Sequence, residues 1–129
     1  MSTPTDAKAR KAMPMMTGLL DYFPDALMAV AAVSKAGNDQ HNPGEPLHWS
    51  REKSNDHLDC GIRHALDHGK MDADNQRHMA KACWRFLAEL QLEIERAEAL
   101  VAAHPEPDAG YRYSSSCMCP ACRAVKAVK

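Results

Sequence analysis

A chain of 129 residues suits one domain with one modest hydrophobic core, and a formal net charge of -1 argues against a stable nucleic-acid partner. Only 5% of the residues are aromatic while 45% are hydrophobic, so a core of Leu, Ala, Val and Met favours helices over sheets. No apolar run approaches the roughly 20 residues that span a bilayer and no signal-peptide pattern is present, which predicts a cytoplasmic protein with reduced cysteines and no membrane partner.

Composition divides the chain into three segments. Residues 1–12 are polar and predict a flexible arm, and residues 13–104 carry the patterns of a folded helical domain. Residues 105–129 form a tail that is rich first in serine and then in cysteine. The domain is predicted to be an all-α bundle of three main helices, with a short additional helix around residues 15–22.

The first main helix is predicted from Pro24 to Gly37, because proline suits the first helical position and glycine suits the C-terminal stop. Two prolines and a glycine then predict a loop over residues 38–49. This loop is rich in side chains that recognise ligands, namely His41, Asn42, His48 and Trp49. The alternative is a rigid surface loop with Trp49 tucked into the core.

Two further helices follow this loop. The second is predicted to begin at Ser50 or Ser54, either of which can cap it, and to end at Gly69. The third is predicted over residues 75–102, where apolar residues recur at steps of three and four. Its long apolar stripe needs more cover than three helices give, so we expect a homo-oligomer, dimer or tetramer, to complete the bundle.

Acidic residues cluster on these two helices. The helical spacing of Glu52, Asp56 and Asp59 places all three on one face. Asp72 and Asp74 stand at the start of the next helix, which runs back beside the second if the connection is short. Carboxylates that converge from two helices suit Mg²⁺ or Mn²⁺, so all five are candidate metal ligands.

Cationic and neutral donors surround these acids, and that combination is what phosphoryl chemistry requires. The donors are Lys53, Arg63, His64, Arg77, His78, Lys81 and Arg85. One alternative is a solvated helix face joined by ion pairs, such as Asp59 with Arg63. Another is a zinc site that uses His64, His68 and Asp67.

The tail contains a CxCxxC pattern, CMCPAC. Its three thiols belong to Cys117, Cys119 and Cys122. Zinc takes four ligands and the tail supplies three, so a structural zinc site needs a fourth ligand from His104 or from a cysteine of another chain. The alternative is a flexible tail with reactive thiols. Cys60 and Cys83 lie on or near apolar helix faces and are predicted to be small core residues.

Three stretches carry a resemblance to a known family: GNDQHNPGEPLHW, DHLDCGIRHALDHG and DADNQRHMAKACWR. In this order they resemble the phage-type dATP/dGTP diphosphohydrolase domain, which is related to the all-α MazG-like nucleotide pyrophosphohydrolases, and the likeness covers about residues 13–96. The glutamate-rich MazG signature is absent, and aspartates and histidines stand in its place. The resemblance implies a Mg²⁺- or Mn²⁺-dependent enzyme that converts dGTP or dATP to the monophosphate and pyrophosphate. It also implies a role in the nucleotide pool of a phage-infected cell, with a 2-aminoadenine pathway as one setting.

The resemblance also implies residue roles. The acids Glu52, Asp56 and Asp59, together with Lys53, match the catalytic positions, and the metal is shared with the acids at the start of the third helix. The residues implied to contact substrate are His41, Asn42, His48, Trp49, Arg63, His64, Arg77, His78 and Lys81. Within the enzyme interpretation, release of triphosphate or single phosphates is the nearest rival reaction. The alternative function is a helical module that binds protein or nucleic acid through its charged face and a zinc-binding cysteine tail.

Overall fold

The computed structural model describes residues 4–103. Within this range the chain forms helices and no strand, so the predicted all-α class is confirmed. The α-helices are α1 (Ala7–Lys11), α2 (Pro24–His41), α3 (His57–Leu66) and α4 (His78–Ala103). Single turns of π- and 3₁₀-helix occupy Met16–Leu20 and Arg51–Lys53.

The chain separates into two compact units, Met1–Phe86 and Leu87–Lys129. The first unit contains α1, α2, α3 and the start of α4, and it holds every site residue described below. In the second unit, Arg96 donates a hydrogen bond to Glu89 at 3.1 Å. This contact runs along a single helix, where side chains one or two turns apart are neighbours.

The N-terminal helical segments are short and exposed. Helix α1 is capped by Asp6, whose carboxylate accepts a hydrogen bond from the Ala9 backbone N–H at 2.7 Å, and it buries no residue. The short helix predicted before α2 is present as the turn Met16–Leu20. Among the described residues, no single helix is long and apolar enough to cross a membrane. Ala7–Leu20 and Pro24–His41 meet those criteria only as a pair, which is bent by 88°.

Helix α2 begins at Pro24 as predicted, but it does not stop at Gly37. It continues for another turn to His41, so the predicted loop begins later than expected. Inside a helix, glycine costs about 1 kcal/mol relative to alanine but does not forbid the conformation. The helix ends at Asn42 because a residue that precedes proline, here Pro43, disfavours helical backbone angles.

The predicted second helix is shorter at both ends. Helix α3 begins at His57 rather than at Ser50 or Ser54. Ser54 is extended, and its hydroxyl donates to the Asp56 carboxylate at 2.8 Å instead of capping a helix. The helix ends before Gly69, whose φ of 81° places it in a turn that favours glycine.

This late start separates the predicted acid cluster. Glu52 lies in the 3₁₀ turn, Asp56 is the N-cap of α3, and Asp59 lies in its first turn. The prediction that the three share one helix face is therefore wrong, because no continuous helix connects them.

Helix α4 begins at His78, slightly later than the predicted residue 75. A tight turn precedes it, in which Met71 and Arg77 pair as an isolated antiparallel bridge. The Asp72 and Asp74 carboxylates accept backbone N–H groups inside this turn, at 2.7 and 3.2 Å. They therefore brace the turn that precedes α4, and neither stands at the start of the helix as predicted.

The buried residues of the first unit are small or polar. They are Asn38, His57, Gly61, Ala80 and Ala82. A Cβ added at Gly61 would stand 2.6 Å from Cε1 of Phe86, so α3 and α4 approach each other closely at this point. Met79 and Phe86, from the predicted apolar stripe, are exposed by 46% and 37% in the single chain. The core is thin, as predicted.

Candidate functional site

A cavity of about 410 Å³ lies in the first unit, between the end of α2, the segment that follows it, α3 and the start of α4. Its volume falls within the range of roughly 300–1,000 Å³ that is usual for small-molecule sites. The predicted site residues in its wall are His41, Asn42, His48, Trp49, Lys53, His64, Asp74 and Lys81. The wall also contains Asn38, Ser54, His57, Trp84 and Arg85.

A group able to hold a metal ion lies at one side of the cavity. One ligand atom from each of His64, Asp72 and His78 lies within 4.8 Å of the others. The Nδ1 atoms of the two histidines are 2.9 Å apart, so one ring donates its Nδ1 proton to the other. The group joins α3, the turn before α4 and the first residue of α4. In residues 4–103 it is the only such group, and it uses neither His68 nor Asp67.

Lys81 binds the acidic part of this group. Its ammonium lies 2.7 Å from Oδ2 of Asp72 and 2.7 Å from Oδ2 of Asp74. The hydrogen bond from Lys81, followed by the Ala73 backbone N–H, lowers the pKa of Asp72 to about 2. Burial lowers the pKa of Lys81, but its bonds to the two carboxylates outweigh burial and the net shift is upward. At neutral pH the three groups are therefore all charged.

His64 is held in the neutral form. Partial burial, followed by the positive charge of Lys81, lowers the pKa of its imidazole. A neutral imidazole has a free lone pair on one ring nitrogen, which is the form that binds metals. The surroundings of His64 therefore favour its use as a ligand.

Aromatic rings form another part of the cavity wall. Trp49 and Trp84 meet edge to face, with centroids 5.8 Å apart, and the buried ring of His57 lies 6.1 Å from each. The Arg51 guanidinium lies 4.3 Å from the centroid of the Trp49 ring. Trp49 therefore sits in a ring cluster and also lines the cavity, but it is partly exposed rather than tucked into the core.

Arg85 fixes the segment before α3 to α4. Its Nη1 donates to Ser54 Oγ at 2.8 Å and to His57 Nδ1 at 3.2 Å. Since Arg85 also lines the cavity, these bonds hold its guanidinium at a fixed place in the wall. Lys53 is held in a comparable way, because its ammonium donates to Asn42 Oδ1 at 2.8 Å.

Asn38 fastens the segment after α2. Its buried side chain donates to the Glu45 carbonyl at 3.2 Å and accepts from the His48 backbone N–H at 3.3 Å. The Asn42 side chain donates to the same Asn38 oxygen at 3.4 Å. Every polar atom of the Asn38 amide group is used within the protein, so this residue shapes the cavity wall.

Several predicted site residues lie outside the cavity wall. They are Glu52, Asp56, Asp59, Arg63, Asp72, Arg77 and His78. Arg63 pairs with Asp56 at 3.1 Å, in an exposed contact that differs from the expected pair of Arg63 with Asp59. Asp56 has a lowered pKa, first because of the Ser54 hydroxyl and then because of Arg63.

Two of the five cysteines lie within the described residues and three lie outside them. Cys60 and Cys83 carry free thiols and are partly exposed rather than fully buried. Cys117, Cys119 and Cys122 lie outside the described residues, and so does the proposed zinc site of the tail.

No protein-family model, curated protein or solved structure matches the chain. The likeness to the diphosphohydrolase domain therefore stays a prediction from the sequence. Asn38, His57 and Trp84 line the cavity without having been predicted from the sequence. A signal existed for Trp84, since it lies three residues after Lys81 and hence on the same side of α4.

Proposed function

We propose that this protein is a metal-dependent nucleoside triphosphate pyrophosphohydrolase that converts a purine deoxynucleoside triphosphate, dGTP or dATP, to the monophosphate and pyrophosphate. One observation carries the proposal: a single cavity combines fixed cations with tryptophan rings beside a group of metal-ligand type. A nucleotide has the matching parts, because its phosphates need positive charge and its base needs an aromatic or apolar surface. The sequence resemblance and the expected cytoplasmic location agree with this choice.

The fit of a divalent ion to His64, Asp72 and His78 rests on the donor atoms. The Nδ1 atoms of His64 and His78 lie 2.9 Å apart, so both would face one ion once the proton between them is displaced. Two imidazoles and a carboxylate suit Mn²⁺ better than Mg²⁺, which prefers oxygen ligands. The bound ion supplies Lewis acidity toward the phosphate oxygens.

This proposal moves the metal from the predicted acids to the histidine group. None of Glu52, Asp56 and Asp59 lines the cavity wall, whereas His64 lines it, with ligand atoms of Asp72 and His78 within 4.8 Å. Asp74 is the second acceptor of the Lys81 ammonium and so shapes the charge of the metal group. The reaction class stays as predicted, and the residues assigned to it change.

The cavity residues have separable roles in the reaction. Lys53, Lys81 and Arg85 neutralise the triphosphate and the negative charge that grows on the leaving group. Trp49 and Trp84 contact the base. Water adds its oxygen to the α-phosphorus, and the bond from that phosphorus to the bridging oxygen breaks. Pyrophosphate leaves with the electron pair, and the proton from water passes to solvent.

The test is to incubate the purified protein with each of the four dNTPs and Mn²⁺ or Mg²⁺, and to resolve the products by ³¹P NMR. We expect monophosphate and pyrophosphate, faster with purines and with Mn²⁺. In ¹⁸O-labelled water, the label should enter the monophosphate. Release of triphosphate or of single phosphates would mean that a different bond is cleaved. Stoichiometric binding with no turnover would support the binding module instead.

A matched pair of lysine variants locates the activity. Lys53→Met removes a cation from the cavity wall and should lower kcat/KM by roughly 10- to 100-fold, because the leaving-group charge loses one partner. Lys70→Met removes the same charge from an exposed pair with Asp67 and should leave kcat/KM unchanged. Equal effects of the two variants would place the reaction elsewhere.

A further inference from the structure

The Lys81 ammonium occupies the place of a cation between two carboxylates. It lies 2.7 Å from an oxygen of Asp72 and 2.7 Å from one of Asp74, and its side chain is only 17% exposed. Asp72 is at the same time the carboxylate of the metal-capable group. One oxygen of Asp72 accepts a hydrogen bond from Lys81 and the other accepts a backbone N–H, so a metal ion that binds this carboxylate would share its charge with the Lys81 ammonium.

We infer that Lys81 is an internal counter-cation that competes with the divalent ion for Asp72, and that metal binding turns its ammonium toward the phosphates of the substrate. The inference rests on the proposed function and deepens it. It assigns the substrate class, a polyphosphate anion, and an order of binding in which the metal precedes the nucleotide.

Charge explains the order. Without metal, Asp72, Asp74 and Lys81 together carry two negative charges and one positive charge. Their net charge is therefore negative and repels phosphate. A divalent ion held by His64, Asp72 and His78 would reverse that sign and weaken the attraction of Asp72 for the Lys81 ammonium. The lysine lies in the cavity wall on a flexible four-carbon stem, so its ammonium can follow a phosphate without any movement of α4.

Two substitutions at Lys81 test the competition in opposite directions. Lys81→Met removes the competitor, so the dissociation constant for Mn²⁺, measured by EPR without nucleotide, should fall roughly tenfold. Lys81→Arg strengthens the competition for Asp72, because a guanidinium pairs with carboxylates more tightly than an ammonium does. Mn²⁺ should then bind about threefold more weakly. A merely structural lysine would give weaker Mn²⁺ binding, or none, in both variants.

The nucleotide part needs a separate measurement. With saturating Mn²⁺, the affinity for the non-hydrolysable α,β-methylene analogue of dGTP should fall roughly tenfold in Lys81→Met, because the redirected ammonium is missing. The exposed control Lys70→Met should leave both affinities unchanged. Circular dichroism confirms that each variant is folded, and Lys81→Gln replaces Lys81→Met if the latter is not.

The outcomes separate this inference from the proposed function. Unchanged or weaker Mn²⁺ binding in Lys81→Met would overturn the counter-cation, even in an enzyme that is fully active. Opposite shifts in the Met and Arg variants of a protein that turns over no dNTP would support the counter-cation and overturn the pyrophosphohydrolase. Unchanged analogue binding in Lys81→Met would overturn the transfer of the ammonium to phosphate.

Discussion

Helix α3 buries polar and small residues on one face and exposes apolar residues on the other, which is the reverse of an ordinary surface helix. One face buries His57 and Gly61. The other exposes Leu58, Ile62 and Leu66, by 55%, 52% and 77%. A helix that served only the stability of a single chain would turn its leucines and isoleucine inward, since burial of such a side chain contributes about 1.5–3 kcal/mol. The buried face therefore combines a close helix contact at Gly61 with the polar ring of His57, and it carries no large aliphatic side chain.

The difference between the two faces of α3 indicates which one serves chemistry and which one serves assembly. His57 is buried, and its Nδ1 accepts a hydrogen bond from Arg85. The next polar residue toward the same side is His64, which carries the metal-capable group. The apolar face has no cover within the described residues, and exposed apolar patches of this kind mark interaction surfaces. We therefore propose that the polar face serves chemistry and that a second copy covers the apolar face.

The largest expected effect comes from the polar face. His64→Ala removes one imidazole from the metal-capable group and should weaken Mn²⁺ binding by roughly 100-fold or more, because only two protein ligands are left. Turnover of dGTP should fall in parallel. Isothermal titration with Mn²⁺ measures the first effect and pyrophosphate release the second.

His68→Ala is the control for this substitution. His68 follows α3, is exposed, and does not belong to the metal-capable group. Its removal should leave Mn²⁺ affinity and turnover unchanged. If His68→Ala were instead the more damaging variant, the zinc alternative with His68 would be the better assignment.

A smaller effect is expected from the apolar face. Ile62→Asp places a charge in the middle of the exposed stripe and should weaken homo-oligomer formation by roughly 30-fold, since a hot-spot residue at the centre of an interface contributes about 2 kcal/mol. Sedimentation equilibrium over a concentration series gives the association constant directly. Secondary structure should be unaffected, because the side chain is already half exposed.

Met28→Asp is the matched control, since Met28 lies on α2 and is 72% exposed. It should leave the association constant as it is in the parent protein. A parent protein that stays monomeric at every concentration would contradict the predicted oligomer, and equal effects of the two substitutions would contradict the assignment of the interface to α3.

Local signals in the sequence located some elements correctly. Pro24 starts α2 because a proline at the first helical position acts within its own turn. The start of α3 could not be read locally. Ser54 looks like an N-cap, but its hydroxyl accepts a hydrogen bond from Arg85, 31 residues later in the chain. The helix boundary therefore depends on packing that no local pattern encodes.

The same distinction applies to the site. His41 and Lys81 were predicted from residue type alone, and both line the cavity. The prediction that Glu52, Asp56 and Asp59 share one face was wrong because it assumed a continuous helix. Helical spacing places residues on one face only where the helix is unbroken. Asn38 was missed because its role consists of hydrogen bonds to residues 7 and 10 positions away, across a loop whose path the sequence does not define.

The smallest expected effect concerns the close approach of α3 to α4, and two glycines give a matched pair. Gly61→Ala would place a Cβ 2.6 Å from the Phe86 ring, so the ring or the helices must shift. We expect this overpacking to destabilise the protein by about 1–2 kcal/mol, after the helix propensity of alanine is included. Gly37→Ala adds the same methyl group to α2, where nothing lies within 4 Å, and should stabilise the protein by about 0.5–1 kcal/mol. Urea unfolding at one fixed protein concentration measures both changes. If both substitutions stabilised the protein, the close contact between Gly61 of α3 and Phe86 of α4 would be contradicted.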